Sequence, residues 1–172
     1  AEHLSEQSEY NHISGNGNFG IICNGVSYGY VFDAVKDLDL TEKVKILRIG
    51  FSHPMPRKMI QDFLKGLEKV LVVEEGEPYM EEAVKAMAQE EKLTLDIKGK
   101  TKDLFTRLYE YNPGQVRQCI ASFFGLDYTS PAAVDVSDVP PVPQRPPTLC
   151  AGCSHRATYL EIKKAAEGME TV

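Results

Sequence analysis

The chain has few of the residues and patterns from which the commoner small functional classes are built. Four cysteines in 172 residues exclude a disulfide scaffold, which belongs to smaller secreted domains. Basic residues are outnumbered, 19 Lys and Arg against 25 Asp and Glu for a net charge of -6, so the chain offers no basic footprint for nucleic acid. No apolar run approaches the ~18 residues of a membrane span, and the N-terminus lacks the basic-then-apolar order of a signal peptide. The expected compartment is the cytoplasm. The first residue is Ala1, not Met, and excision from a longer protein is the expectation.

A chain of this length can bury roughly 70% of its unfolded surface in a core. Residues 1–18 are polar and without period, and read as a flexible arm. Gly15, Gly17 and Gly20 match the Gly-x-Gly-x-x-Gly spacing letter for letter. The context rejects nucleotide binding, because that fingerprint needs a strand before it and a helix opening at it. Here a polar arm precedes, and an apolar strand, Phe19 to Cys23, follows. From Val26 the apolar residues Tyr30, Val31, Ala34, Val35 and Leu38 recur at helical spacing.

A second strand spans Val44 to Ile49. The prolines of Phe51-Ser52-His53-Pro54-Met55-Pro56 then open a helix with Met59, Ile60, Phe63, Leu64 and Leu67 on one face. Val70-Leu71-Val72-Val73 reads as a strand covered on both faces, and Pro78 opens a helix with Ala83, Val84, Met87 and Ala88 inward. Leu93 to Ile97 alternates as a half-exposed edge strand. Asn112-Pro113 caps a last helix bearing Val116, Ile120, Phe123 and Phe124, and 101–111 carries a weak helical turn.

The alternation predicts an α/β fold, a mainly parallel twisted sheet with helices on both faces and one edge strand that can run antiparallel. Sites in such sheets gather at the carboxyl ends of strands, here Asn24 to Tyr28, Ser52 to Pro54 and Glu74 to Gly76. No Ser-His-Asp order, metal-binding His pair or phosphate loop emerges there. His53 is an acid or base candidate, or simply a loop histidine fixing a turn. Glu74 and Glu75 are candidate paired carboxylates, or acids favoured near a helix N-terminus by its dipole. Met55, Met59, Met80 and Met87 read as core filling, and Cys23 and Cys119 as buried thiols.

Five prolines, at 140, 141, 143, 146 and 147, make a stiff linker of the kind that separates folded units. It runs into Cys150-Ala151-Gly152-Cys153-Ser154-His155-Arg156. Two thiolates at that spacing can ligate zinc or an iron-sulfur cluster, and the start of a helix lowers thiol pKa. A c-type haem motif fails because Ser154 stands where His is needed. A zinc ribbon lacks its second pair, and a thioredoxin-like motif belongs early in its own fold. A small metal or thiol-redox module built on Cys150 and Cys153 stays open as an alternative.

Pro146-Pro147-Thr148-Leu149-Cys150-Ala151-Gly152-Cys153-Ser154-His155-Arg156-Ala157 is similar to the start of the thiamine-diphosphate-binding domain in the alpha subunit of indolepyruvate ferredoxin oxidoreductases. Gly20 to Tyr28, Ile49 to Pro56 and Val70 to Tyr79 resemble that subunit's middle domain. The family usually has proline where Ala151 and Ser154 stand.

The resemblance implies a transketolase C-terminal-domain-like unit over 19–137, a linker over 138–148 and the truncated start of the thiamine-diphosphate domain over 149–172. It implies an enzyme that oxidatively decarboxylates aryl 2-oxo acids to acyl-coenzyme A. Its cofactors would be thiamine diphosphate, magnesium and iron-sulfur clusters, and its partners a beta subunit, ferredoxin, coenzyme A and the other domains of the same subunit. Cys150, Gly152, Cys153, His155 and Arg156 would belong to the cofactor site, with Cys150 and Cys153 as cluster ligands in the parent. The 172-residue piece is expected to be inactive and to bind no cofactor by itself.

Overall fold

The structure, a computed structural model, describes residues 1–100, 104–132, 134–144 and 146–169. It divides into two compact units, 1–131 and 132–172. The first holds helices α1 (Glu2–Glu6), α2 (Ser27–Asp37), α3 (Arg57–Leu64), α4 (Tyr79–Glu90) and α5 (Pro113–Phe124), with strands β1 (His12–Ser14), β2 (Phe19–Asn24), β3 (Val44–Ile49), β4 (Lys69–Val73) and β5 (Asp96–Lys98). The second holds α6 (Ser154–Ala165).

The five strands form one sheet in the order β1-β3-β2-β4-β5. β2 runs parallel to β3 and to β4, and β4 parallel to β5. Only β1 runs antiparallel, against β3. Side chains alternate across each strand, so Ile21, Cys23, Leu71 and Val73 pack under α2 and α5 with Val31, Val35, Val116 and Ile120. Ile22, Val70 and Val72 pack on the other face under α3 and α4, with Ile60, Phe63, Met80, Val84 and Met87. The anticipated α/β fold, with a mainly parallel sheet and helices on both faces, is what the chain adopts. Asn112 caps α5 as expected, its side chain accepting from the Gln115 N–H at 2.9 Å.

Two expectations change. Residues 1–18 are not a loose arm, since 2–6 are helical and 12–14 supply the antiparallel edge strand. The edge on the other side, expected over Leu93 to Ile97, lies at Asp96–Lys98 and is parallel, while Leu93 and Leu95 pack against the core. The N-terminal segment escapes an apolar-periodicity reading because polar groups hold it. Buried Asn11 accepts from the Gly50 and Phe51 N–H groups, each at 2.9 Å, and donates to the carbonyls of Ser5 and Phe51 at 2.8 and 3.3 Å. Glu6 caps the distant α3, accepting from Lys58 N–H at 2.8 Å and Met59 N–H at 3.0 Å.

The glycine triplet serves the same docking. A side chain at Gly15 or Gly17 would overlap the Val44 or Lys43 carbonyl, and one at Gly20 would meet Leu67 Cδ1 at 2.6 Å. The anticipated turn over 101–111 falls partly on 101–103, outside the described residues, and 104–111 is irregular. Arg145 of the proline stretch also lies outside them.

Asn11→Ala would leave the Phe51 N–H without its acceptor, while the Gly50 N–H keeps the Tyr10 carbonyl at 3.1 Å. A loss of about 1–3 kcal/mol in urea unfolding is expected, the cost of an orphaned donor. A loss within error of zero would show that β1 and α1 are not held through this side chain.

Candidate functional site

Chain direction decides which end of the sheet can host a site. β2 leads through α2 to β3 on one side, and β4 leads through α4 to β5 on the other, so the strand order reverses between β2 and β4. Crevices outside the carboxyl ends of strands at such a reversal are where open α/β sheets bind ligands. The three stretches Asn24 to Tyr28, Ser52 to Pro54 and Glu74 to Glu77 all follow carboxyl ends.

Around Glu74 the acids are spent on backbone donors. The buried Glu74 carboxylate accepts from Met80 N–H at 2.7 Å and Glu81 N–H at 2.9 Å, capping α4 where the dipole favours negative charge. Burial nevertheless wins, and holds its carboxyl above the usual range against those two bonds and the nearby Lys100. Glu75 accepts instead from the Tyr111 N–H at 2.8 Å. The pair engages different segments and does not form an acid/base couple.

Buried Glu81 accepts from the Lys100 N–H at 2.6 Å and pairs with Lys85. Gly99 permits this, because a Cβ there would collide with the Glu81 carboxylate.

Lys100 ties the edge together. Its ammonium donates to the Glu74 carbonyl, to Tyr111 Oη and to the Thr106 carbonyl, the last at 3.2 Å. Three donors meet three oxygens from two segments. Desolvation lowers the lysine pKa against the attraction of Glu74, Glu75, Glu81 and Glu77, and burial raises that of Tyr111. Phe105 and Tyr111 stack with centroids 5.1 Å apart. Outside this latch Leu108 and Tyr109 are exposed. Sequence reading missed Lys100, Tyr111 and Glu81, because no periodicity marks a lysine that follows a short edge strand.

Two further groups complete the edge. His53 Nδ1 lies 3.1 Å from Tyr79 Oη, exposed and beside Pro54. The contact joins the loop after β3 to the start of α4. Ser27, in the first turn of α2, is 1% exposed and its hydroxyl has no partner among the described residues. An unsatisfied buried hydroxyl costs about 1–3 kcal/mol. The remaining thiols are inert by burial: Cys23 is pushed up to about 12 and Cys119 to about 11.

In the second unit, Cys150 to Cys153 closes a turn through the Cys153 N–H and Cys150 carbonyl at 3.2 Å, with Gly152 at φ 78°. Gly152 takes the left-handed conformation that other residues avoid. Cys153 is the N-cap of α6, and its Sγ lies 3.4 Å from His155 Nδ1. Both cysteines are free thiols, and Cys150, His155 and Arg156 are exposed. The predicted residues therefore share one turn and the first turn of one helix. Among the described residues no group of three or more His, Cys, Asp or Glu side chains is placed to hold a metal ion. No described helix is long and apolar enough to cross a membrane.

Residues 12–132 match the family described as the indolepyruvate oxidoreductase domain. The chain is similar to the indolepyruvate oxidoreductase subunit IorA of Methanothermobacter thermautotrophicus, 38% identical over 169 residues, covering 96% of this chain and 26% of that protein. The subunit of the same name from Thermococcus kodakarensis is 42% identical over 165 residues, covering 91% and 25%. That of Archaeoglobus fulgidus is 34% identical over 171, covering 96% and 26%. The chain thus spans about a quarter of the length of these relatives.

Two measurements probe the sheet edge. With Glu74 held above its ordinary 4.5 in the folded state, the folded chain keeps that proton to higher pH than the unfolded chain. Its contribution to stability then falls as pH rises through that interval. Urea unfolding from pH 4 to 7 should show wild type losing stability relative to Glu74→Gln as pH rises, and a flat or rising difference contradicts it. Lys100→Met should speed amide exchange in 104–111 by roughly tenfold, about one charged hydrogen bond of local stability. Unchanged exchange there would rule out the latch.

Proposed function

The chain belongs to the indolepyruvate oxidoreductase domain family, and on that premise we propose that it forms part of a thiamine-diphosphate-dependent enzyme that oxidatively decarboxylates aryl 2-oxo acids to acyl-coenzyme A. In this reading 19–137 is a transketolase C-terminal-like assembly domain, 138–148 a linker and 149–172 the entry to the thiamine-diphosphate domain. The parent works in the cytoplasm with a beta subunit, ferredoxin and coenzyme A.

The observation that carries the reading is the division of labour between the units. At the sheet edge every acid discussed is bound to backbone donors or paired, and the lysine is fully engaged. Such groups hold architecture together. In the second unit Cys150, His155 and Arg156 stand exposed at the start of α6, unburied and available.

That donor set fits part of a cofactor site. Cys150 and Cys153 offer two thiolates to an iron-sulfur cluster, fewer than the four it needs. His155, Arg156 and the first N–H groups of α6 suit a diphosphate with its magnesium, and Gly152 removes side-chain bulk from the approach. When bound, thiamine diphosphate supplies the electron sink for decarboxylation and the cluster a one-electron path. The chain's own residues would position and neutralise.

A second reading is an independent thiol or metal module on the Cys150 and Cys153 pair, favoured by Cys153 Sγ lying 3.4 Å from His155 Nδ1. Metal analysis after anaerobic purification of the 172-residue chain separates the two, since stoichiometric zinc or iron favours the module. For the first reading, the chain alone should reduce no viologen dye with indolepyruvate, coenzyme A, magnesium and thiamine diphosphate. In the intact enzyme Cys150→Ser should cut turnover to about a tenth or less. Turnover by the chain alone, or full activity of the intact variant, would sink it.

A further inference from the structure

We propose that Cys150 and Cys153 are a reversible dithiol–disulfide switch, closed by exchange with a small external disulfide, so that the turn offers two sulfur ligands when reduced and none when oxidised. The inference rests on the reading of this turn as part of a cofactor site and names what would regulate it.

The backbone already holds a geometry suited to closure. The Cys153 N–H donates to the Cys150 carbonyl at 3.2 Å, and Gly152 takes φ 78°. A four-residue turn of this kind keeps its end Cα atoms within about 7 Å, and a disulfide spans about 4.4–6.8 Å between them. Bridging therefore asks mainly for side-chain rotation.

Both sulfurs are free for it. Cys150 is exposed and Cys153 half-buried, each as a free thiol. Cys153 stands at the N-cap of α6, yet its side chain makes no capping bond. Its Sγ lies instead beside the exposed His155 Nδ1. Cys23 and Cys119 are buried in the core of the first unit and serve as an internal control. A disulfide also asks for less than a cluster does, since it needs two sulfurs in reach of each other, which a local turn supplies without a packed helix behind it.

In the exchange the Cys150 sulfur attacks one sulfur of the external disulfide, whose S–S bond breaks and whose other half leaves as a thiol with the Cys150 proton. The Cys153 sulfur then attacks the Cys150 sulfur of that mixed disulfide, and the second half leaves with the Cys153 proton. The two cysteines give up two electrons and two protons, and the external disulfide takes both up.

The test incubates the 172-residue chain anaerobically in mixtures of oxidised and reduced glutathione, quenches with acid, alkylates in denaturant and reads peptide masses. With oxidised glutathione in excess, the peptide carrying Cys150 and Cys153 should lose the mass of two hydrogen atoms and take up no alkylating reagent. Cys23 and Cys119 should alkylate fully, and dithiothreitol should reverse the change. Gly152→Val, which puts a β-branched residue at a left-handed φ, should lower the ratio of closed turn to glutathione adduct roughly tenfold. Cys153→Ser should stop at the glutathione adduct of Cys150. A wild-type chain that keeps all four thiols, stops at that adduct, links to a second chain through Cys150, or closes no more readily than Gly152→Val overturns the proposal. The cofactor-site reading is tested separately by turnover of the intact Cys150→Ser enzyme: lost turnover with no bridge in the chain fails the switch alone, and a bridge with full turnover fails that reading alone.

Discussion

The constraint behind this structure is that β2 is buried on both faces and parallel to both its neighbours. Parallel neighbours cannot be joined by tight turns, so each connection must travel back along the sheet, here as α2, α3 and α4. Every connection then leaves a carboxyl end and enters a helix N-terminus at the same edge. That edge collects strand-end carbonyls and unpaired helical N–H groups within one short strip. The sheet stands only if that strip is satisfied, which explains why so many charged side chains there point at backbone.

The acids show how that demand is met. Glu74 remains ionisable in a place where burial opposes its charge, and two helical N–H groups with a nearby ammonium only partly offset the cost. Lys100 shows the converse, a cation desolvated yet surrounded by four glutamates. Neither is well placed as a general acid or base. A catalytic group needs a free proton position near a reactant, and these spend their lone pairs and protons on the fold. Motif spelling alone, a run of Glu-Glu-Gly-Glu after a strand, looks catalytic; the hydrogen bonds make it architectural.

What was legible in the residues follows the same division. Strands β2, β3 and β4 could be read because burial on both faces demands continuous apolar runs, and α2 to α5 because each shows a one-sided apolar stripe. The proline-flanked cap at Asn112 was legible because its chemistry is local. The N-terminal segment was not. Its anchors, Asn11 to the β3 end and Glu6 to α3, act across some forty to fifty residues of chain, and polar long-range contacts leave no period. Lys100 and Tyr111 were hidden for the same reason, whereas Ser27 stood in a stretch already singled out but lacked any sign of its unpaired hydroxyl.

The cysteine turn obeys a different logic. Its geometry is almost wholly local: a four-residue turn, a glycine at positive φ and a helix whose first turn carries His155 and Arg156. Such a motif can be spelled out in sequence and built without a core, and α6 indeed has no buried residue. A helix with Tyr159, Leu160 and Ile162 exposed gains no stability from packing within its own unit, and isolated helices of this length are marginal in water. Packed apolar surface is what orders a helix of this kind. Ligand geometry within a fraction of an ångström needs that support, so two thiols on an unburied helix are a site in composition before they are a site in function.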